Sequence, residues 1–399
     1  MSGPLQGIRI VDLTQVVSGP LSTMLLADQG ADVIKIENTG AGDVTRQVST
    51  RRGGMTASFL NNNRNKRSVS LDLKDARALE AVHRLLKTAD VFIHNFRPGV
   101  VARLGLGEDA VREIRPDIVY VSISGFGENG PFANKPVYDP LVQALSGLTT
   151  IQGGSDDARP RLVRTIVPDK LTGFTTAQAV TAALLHRERT GEGQHVKVSM
   201  LDSVVSFLWH SDMGGHTFVG DEIESEKAHS FIDLIYETTT DYITVAVNTD
   251  KQWFALTEAV GHPEWRDDPR FDTPEKRHEN IDARLELTQE VLRTNSADYW
   301  LEHLDRHDIP CAQVLKRKEM VHHPQIVENG MLVELDHPVA GRLRQARPAA
   351  QFSKTVPDLN HGAPLLGEHT EEVLREAGYD QAEIDALLAG GAAKADVKG

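Results

Sequence analysis

Through its first 125 residues the chain alternates short β-rich runs with longer segments of helical period, and few folds accept that rhythm. The runs IRIVDL (8–13), DVIKIE (32–37), RSVSLDL (67–73), DVFIHN (90–95) and DIVYVSIS (117–124) read as strands. Between them GPLSTMLLADQG, closing on Gly30, and KDARALEAVHRLLKTA place apolar residues three and four apart, the spacing of an amphipathic helix. Strand, helix, strand at this interval predicts βαβ units around a parallel sheet, an α/β fold. Further helices are expected at about 140–148 and 169–188, the latter stopped by the glycines of RERTGEGQ, with HVKVSMLD as a strand entering a helix. From about 225 the texture changes to a hairpin-like pair in YETTTDYITVAV, a helix in WFALTEAV and the amphipathic stretch DARLELTQEVLRTNSADYWLEHLDRHDI. That pattern predicts a smaller α+β domain. HPVAGRLRQARPAAQFSK reads as turns and short strands, EEVLREAGYDQAEIDALLAGG as a closing helical pair, and GAAKADVKG as a frayed tail.

A length of 399 residues suits about two domains. The net charge of -14 sets up a field that repels phosphates and acidic lipid surfaces, so nucleic acid and membrane are not expected as partners. Cys311 is the single cysteine, so no intrachain disulfide can form, and a cytoplasmic location is expected. No leader-like segment precedes the first strand run, and the most apolar helical stretch, AVTAALL, is far shorter than the ~20 residues that span a bilayer.

Several familiar chemistries are disfavoured by what is missing. Glu37 ends the second strand where an acidic residue would hold a ribose, but the preceding turn TQVVSGP lacks the glycines that let a pyrophosphate approach the backbone. No P-loop pattern occurs. The pairs His210/His216 and His322/His323 have no Cys or carboxylate at a zinc spacing, so no metal is expected, and Cys311 reads as a buried, inert thiol. Arg64, Lys66 and Arg67 before one strand, Lys74 after it, and Arg97 and Arg103 after another are either solvated charges or a set that receives phosphates.

RTIVPDKLTGF (164–174) carries a more pointed ambiguity. If a helix begins at Pro168 or Asp169, the aspartate either accepts hydrogen bonds from the first turn's free N–H groups or is a nucleophile. The helix dipole and Lys170 both favour its ionised form. Spacing alone leaves both readings open.

The stretches GIRIVDLTQVVSGPLSTMLLADQGADVIKIE, GDVTR, NRNKRSVSLDLK, NFRPGVVARLGL, SGFGENGP with YDPLVQALSG, PDKLTG, and HRERTGEGQHVKVSMLD resemble, in order and nearly end to end, the family III CoA-transferases. The resemblance implies an interlocked homodimer of open-ring subunits. Each would have a Rossmann-like large domain, here 1–215 with 330–399, and a small α+β domain at 225–325. It implies that Asp169, in PDKLTG, attacks an acyl-CoA to give a mixed anhydride and then an aspartyl-CoA thioester, with CoA passing to a short carboxylic acid, dicarboxylic or hydroxylated acids included. Val17, Ser18 and Tyr138 would position substrate or stabilise oxyanions. CoA would be held by Leu71, Asp72, Leu73, Lys74, Asn95, Phe96, Arg97, Arg103 and Lys135. No permanently bound cofactor is implied, since coenzyme A arrives as part of the substrate.

Two departures from the family's patterns matter. The racemase branch has histidine where Tyr138 stands, so α-proton exchange lacks one base. The formyl-CoA transferase type has glutamine in place of Val17 and a glycine-rich loop where this chain reads VNTDKQWFAL, so transfer to oxalate is not expected. An acyl-CoA racemase or epimerase, and a non-catalytic acyl-CoA binder in which Asp169 only caps a helix, are the alternatives.

Overall fold

The computed structural model describes residues 3–227, 234–357, 359 and 361–396. The chain divides into two compact units, Met1–Glu226 with Gly330–Gly399, and Lys227–Asn329.

The large unit is built on a seven-stranded sheet. Its strands are β1 (Arg9–Asp12), β2 (Asp32–Glu37), β3 (Lys66–Leu71), β4 (Val91–His94), β5 (Val119–Ser124), β6 (His195–Ser199) and β7 (Ala393–Lys394). The order across the sheet is β7-β3-β2-β1-β4-β5-β6, with every pair parallel except β7 against β3. Order 3-2-1-4-5-6 is that of a doubly wound sheet. Its connections diverge between β1 and β4, which opens a crevice at the carboxyl ends of those two strands.

Alternation along each strand fills two cores. Val11, Ile34, Val69, Phe92 and Tyr120 face α2 (Ala76–Leu86) and the C-terminal helices Thr370–Glu376 and Gln381–Ala389. Ile10, Val33, Val91, Ile93 and Val121 face α1 (Ser18–Asp28) and α4 (Val167–Thr190). Each large side chain sealed in this way contributes about 1.5–3 kcal/mol, which is why strands buried on both faces read as near-continuous apolar runs. The helix α3 (Asp139–Leu145) packs beside α4, and α5 (Met200–Trp209) follows directly from β6.

The C-terminal stretch read as a frayed tail is in part structural. Ala393 and Lys394 pair antiparallel with Leu71 and Ser70, and the Asp72 N–H donates to the Ala392 carbonyl at 2.9 Å. This short strand covers an edge that would otherwise be open. Residues 397–399 of that stretch lie outside the described residues.

The smaller unit holds a three-stranded antiparallel sheet, Ile235–Glu237, Tyr242–Val245 and Cys311–Gln313, packed with helices around Trp253, Phe271 and Trp300. Its amphipathic stretch is two helices, Ile281–Leu292 and Ala297–Arg306, the second begun by Ser296 accepting from the Tyr299 N–H at 3.2 Å. Cys311 is half-buried, and burial first, with Asp305 beside it, pushes its thiol up to about 11.

Candidate active site

At the carboxyl ends of β1, β4 and β5 lies a cleft of ≈ 250 Å³, on the crevice between β1 and β4. Among the described residues its lining contains one carboxylate, Asp169, and no histidine or cysteine. Of the residues expected at the site, Ser18, Asn95, Phe96, Arg97, Lys135, Tyr138 and Asp169 line this one cleft. Val16, Pro98, Ser124, Gly125, Phe126, Val137 and Met200 also line it without having been singled out.

The loop after β1 is pinned to the loop after β4. The Gln15 N–H donates to Asn95 Oδ1 at 2.9 Å, and Asn95 Nδ2 returns a bond to the Gln15 carbonyl at 2.7 Å. Val16 then takes φ +72°, a left-handed backbone that costs a β-branched residue about 1–3 kcal/mol and persists only where its surroundings enforce it. Two residues on, Ser18 opens α1, with Gly19 pressed so close to Thr14 that a Cβ there would lie 2.3 Å from the threonine Cβ.

Asp169 is the third residue of α4 and does not cap it; the cap position is Ile166. Gly173, one turn further, presses on α1, where a Cβ would meet Leu21 at 2.9 Å and the Ser18 carbonyl at 3.0 Å. This close approach sets Asp169 against Ser18. The Asp169 N–H donates to Asp139 Oδ2 at 3.4 Å, and the Asp139 carboxylate accepts from Gln143 Nε2 at 2.6 Å.

The electrostatics differ from those expected of a dipole-stabilised anion. Burial first, and the Asp139 carboxylate second, push the Asp169 carboxyl up to about 6; the Ser18 N–H and hydroxyl offset this in part by hydrogen bonding to the anion. Lys170 does not contribute, because it turns to Thr165 Oγ1 at 2.9 Å. At neutral pH Asp169 is still mainly ionised, but as a poorly solvated anion, and the carboxylate beside it, Asp139, comes from 30 residues earlier in the chain.

The basic residues sort into two sets. Arg64, Lys66 and Arg67 do not receive an external phosphate: they sit before or at the start of β3 and are consumed internally. Arg64 pairs with Asp28 at 2.7 Å, Lys66 with Asp12 at 3.3 Å, and Arg67 with Asp32, Glu372 and Glu376. Lys74, Arg97, Arg103 and Lys135 are exposed, and among the described residues their charged groups form no ion pair; Lys135 lies over the Phe132 ring at 4.0 Å. Lys74, Arg97 and Arg103 all follow the carboxyl ends of β3 and β4.

Two residues expected at the site, one as a CoA contact and one in substrate positioning, are taken up by packing. Leu71 is fully buried within the core at the β3–β7 pairing, which leaves only its backbone for a ligand, and Val17 is buried at the start of α1. Asp72, Leu73 and Lys74 follow β3 outside the cleft lining, Lys74 with an exposed side chain. Tyr138, 72% exposed, stands at the rim. The site's missed members, Asp139 and Gln143, carried one usable signal: an Asp-Pro pair opening a helix in VYDPLVQAL, where an acidic residue favours the first turn.

No helix among the described residues is long and apolar enough to cross a membrane. The family model described as CoA-transferase family III matches residues 5–370. Human succinyl-CoA:glutarate CoA-transferase is 32% identical over 397 residues, covering 97% of this chain and 89% of that protein. Formyl-CoA:oxalate CoA-transferase of Escherichia coli O139:H28 is 34% identical over 416 residues, covering 97% and 99%. Among solved structures, Rv3272 from M. tuberculosis superposes with TM-score 0.80 at 30% identity, covering 93% of this chain and 99% of that one. A CAIB/BAIF family protein from Brucella suis does so with TM-score 0.82 at 28% identity, covering 94% and 100%. With a family model spanning nearly the whole sequence and relatives of this identity and coverage, the chain belongs to the family III CoA-transferases.

Proposed function

We propose that the chain transfers CoA from an acyl-CoA thioester to a short carboxylic acid, dicarboxylic or hydroxylated acids included, through covalent intermediates on Asp169. The observation that carries this reading is that, among the described residues, Asp169 is the one carboxylate lining the cleft, with Ser18 donors against it and no histidine or cysteine in the lining as an alternative nucleophile or base. The naming of glutarate in the human and mouse relatives supports a dicarboxylate acceptor.

In the proposed sequence, Asp169 Oδ attacks the donor thioester carbonyl and CoA leaves as thiolate, giving a mixed anhydride. The thiolate attacks the aspartyl carbonyl, forming an aspartyl-CoA thioester and releasing the donor carboxylate. The acceptor carboxylate attacks that thioester to form a second anhydride. CoA thiolate then takes the acceptor acyl group and frees Asp169. No proton is gained or lost, and each covalent species retains the thioester's activation, so one hard exchange becomes four easier ones. Partial burial leaves the attacking carboxylate poorly hydrated. In this reading the Ser18 N–H and hydroxyl, which bond the Asp169 anion at rest, and the Val17 N–H at the start of α1 would stabilise the negative charge that develops on a carbonyl oxygen, with Tyr138 at the rim positioning the acyl chain. Arg97, Arg103, Lys74 and Lys135 supply free cations for the CoA phosphates, and Asn95 and Phe96 the adjacent wall.

Because only the anion attacks, the rate of aspartyl-thioester formation should fall about tenfold per pH unit below a limb near pH 6, and level off above about pH 7. Single-turnover acylation from pH 4.5 to 8, read with exchange of labelled acid into the thioester, checks this. A limb near 4, or exchange without acylation, contradicts it.

We also propose that two copies associate. Leu141 and Leu145 on α3, Phe174 and Leu185 on α4, and Phe207 and Trp209 on α5 are all 40% or more exposed, a density of bare apolar side chains that a second subunit would cover. Sedimentation at the mass of two chains is the expected result; a monomer at micromolar concentration contradicts it.

A further inference from the structure

The loop that delivers Ser18 is held from behind by charges that no substrate reaches. Lys35 projects from β2 and Asp43 from the turn after it, both with fully buried side chains, 3.0 Å apart. Lys35 Nζ also donates to the Thr14 carbonyl at 2.7 Å, and the Val16 N–H donates to Asp43 Oδ1 at 3.3 Å. The Thr14 N–H is taken by Asp12 Oδ1 at 2.8 Å, and both polar backbone groups of Gln15 by Asn95. Each of these backbone groups of residues 14–16 is therefore bonded to a side chain, and the segment so fixed contains Val16 at φ +72°.

We propose that the Lys35–Asp43 ion pair is a positioning device for catalysis, locking Val16 in its left-handed conformation so that the Ser18 donors face Asp169. A buried ion pair is a poor source of stability, since well-packed apolar residues of similar volume serve as well or better. The neighbouring residues of β2, Val33, Ile34 and Ile36, are such residues. What the pair adds is direction: the ammonium draws the Thr14 carbonyl inward while the carboxylate draws the Val16 N–H, and a β-branched residue turns left-handed between the two pulls. Without them Val16 would relax to a right-handed or extended backbone and rotate Ser18 away from Asp169.

The inference rests on Asp169 being the acyl carrier, and the test separates the two. In the full-length protein, Lys35→Met keeps the stem and removes the ammonium. Wild-type protein that forms no Asp169 thioester from acyl-CoA overturns the reading of the site itself. If it does form one, Lys35→Met is expected to lower the acylation rate by about 10²-fold, the effect of a small misplacement, with the KM for acyl-CoA changed less than about threefold. Its acid limb should also move to higher pH, because the Ser18 bonds that favour the anion are withdrawn while Asp139, the carboxylate facing Asp169 from α3, remains; the cleft's other charged groups, Arg97 and Lys135, are untouched. Lys35 itself faces Asp43, Asp12, Glu37 and Lys66, so loss of its charge can hinder folding; Asp43→Asn, which leaves Lys35 with Asp12 and Glu37, is expected to show the same split more weakly. Val16→Gly added to Lys35→Met should restore part of the rate, since glycine takes the left-handed backbone freely. An unchanged rate and acid limb in both single variants, a parallel loss of KM and rate, or no rescue by glycine overturns the proposal.

Discussion

Asp169→Asn should abolish CoA transfer, by roughly 10⁴-fold or more, and at the same time make the protein more stable at pH 8. The first half follows from the loss of the attacking anion with its shape preserved. The second follows from where the anion sits. Its carboxyl is raised from 3.8 to about 6 by burial and by Asp139, so ionised Asp169 costs the folded state stability above pH 6, by up to about 3 kcal/mol. That cost fades as pH falls from 6 towards 3.8, where the folded carboxyl becomes protonated while the unfolded one is still ionised. Asparagine removes the cost. Urea midpoints should therefore be higher for Asp169→Asn than for wild type at pH 8 and converge near pH 4. An inactive variant of equal or lower stability at pH 8 contradicts the electrostatic account, though not the chemistry.

Asp28→Ala, by contrast, should destabilise the large unit by about 3–5 kcal/mol while touching no substrate. Asp28 closes α1 and accepts from Arg64 Nε at 3.0 Å, from an Arg64 terminal nitrogen at 2.7 Å and from Asn65 Nδ2 at 2.9 Å. With the arginine and aspartate side chains 5% and 0% exposed, removing the carboxylate leaves a guanidinium buried without its counter-charge. The pair joins the end of α1 to the start of β3, so its loss also loosens the helix that presents Ser18. Equilibrium denaturation followed through the large unit's transition checks this. Asp28→Leu combined with Arg64→Met should recover much of the lost stability, since a packed apolar pair does not carry the desolvation cost of two charges. A cost under about 1 kcal/mol for Asp28→Ala contradicts the assignment.

What could be read from the chain itself follows from which interactions are local. β1, β2, β4 and β5 were legible because parallel strands buried on both faces carry apolar runs of strand length between turn signals, and β3 and β6 because apolar residues alternate with polar ones along them. α2 was legible from its period, and the end of α4 from Gly191, which closes that helix in a left-handed backbone. β7 was not, because two residues of Ala and Lys have no pattern of their own and form a strand only where β3 offers an edge. Lys66 and Arg64 read either as solvated charges or as phosphate ligands, because nothing in their neighbourhood of sequence reveals Asp12 and Asp28, their partners across the fold. The same reason hid the state of Asp169: the helix start and Lys170 are adjacent in sequence, whereas Asp139 and Ser18, which set the balance, come from other elements. Val16 gave no warning at all, since a left-handed valine is enforced by Lys35, Asp43 and Asn95 and not by any preference of its own.

The most direct test of the covalent account is to mix the protein with a panel of short acyl-CoA thioesters, quench within one turnover, trap with hydroxylamine or borohydride, and map the modified peptide by mass. The account predicts a single altered residue, Asp169, in the peptide bearing RTIVPDKLTGF, and no alteration in Asp169→Asn. Modification at another side chain, or turnover with none on Asp169, would contradict it.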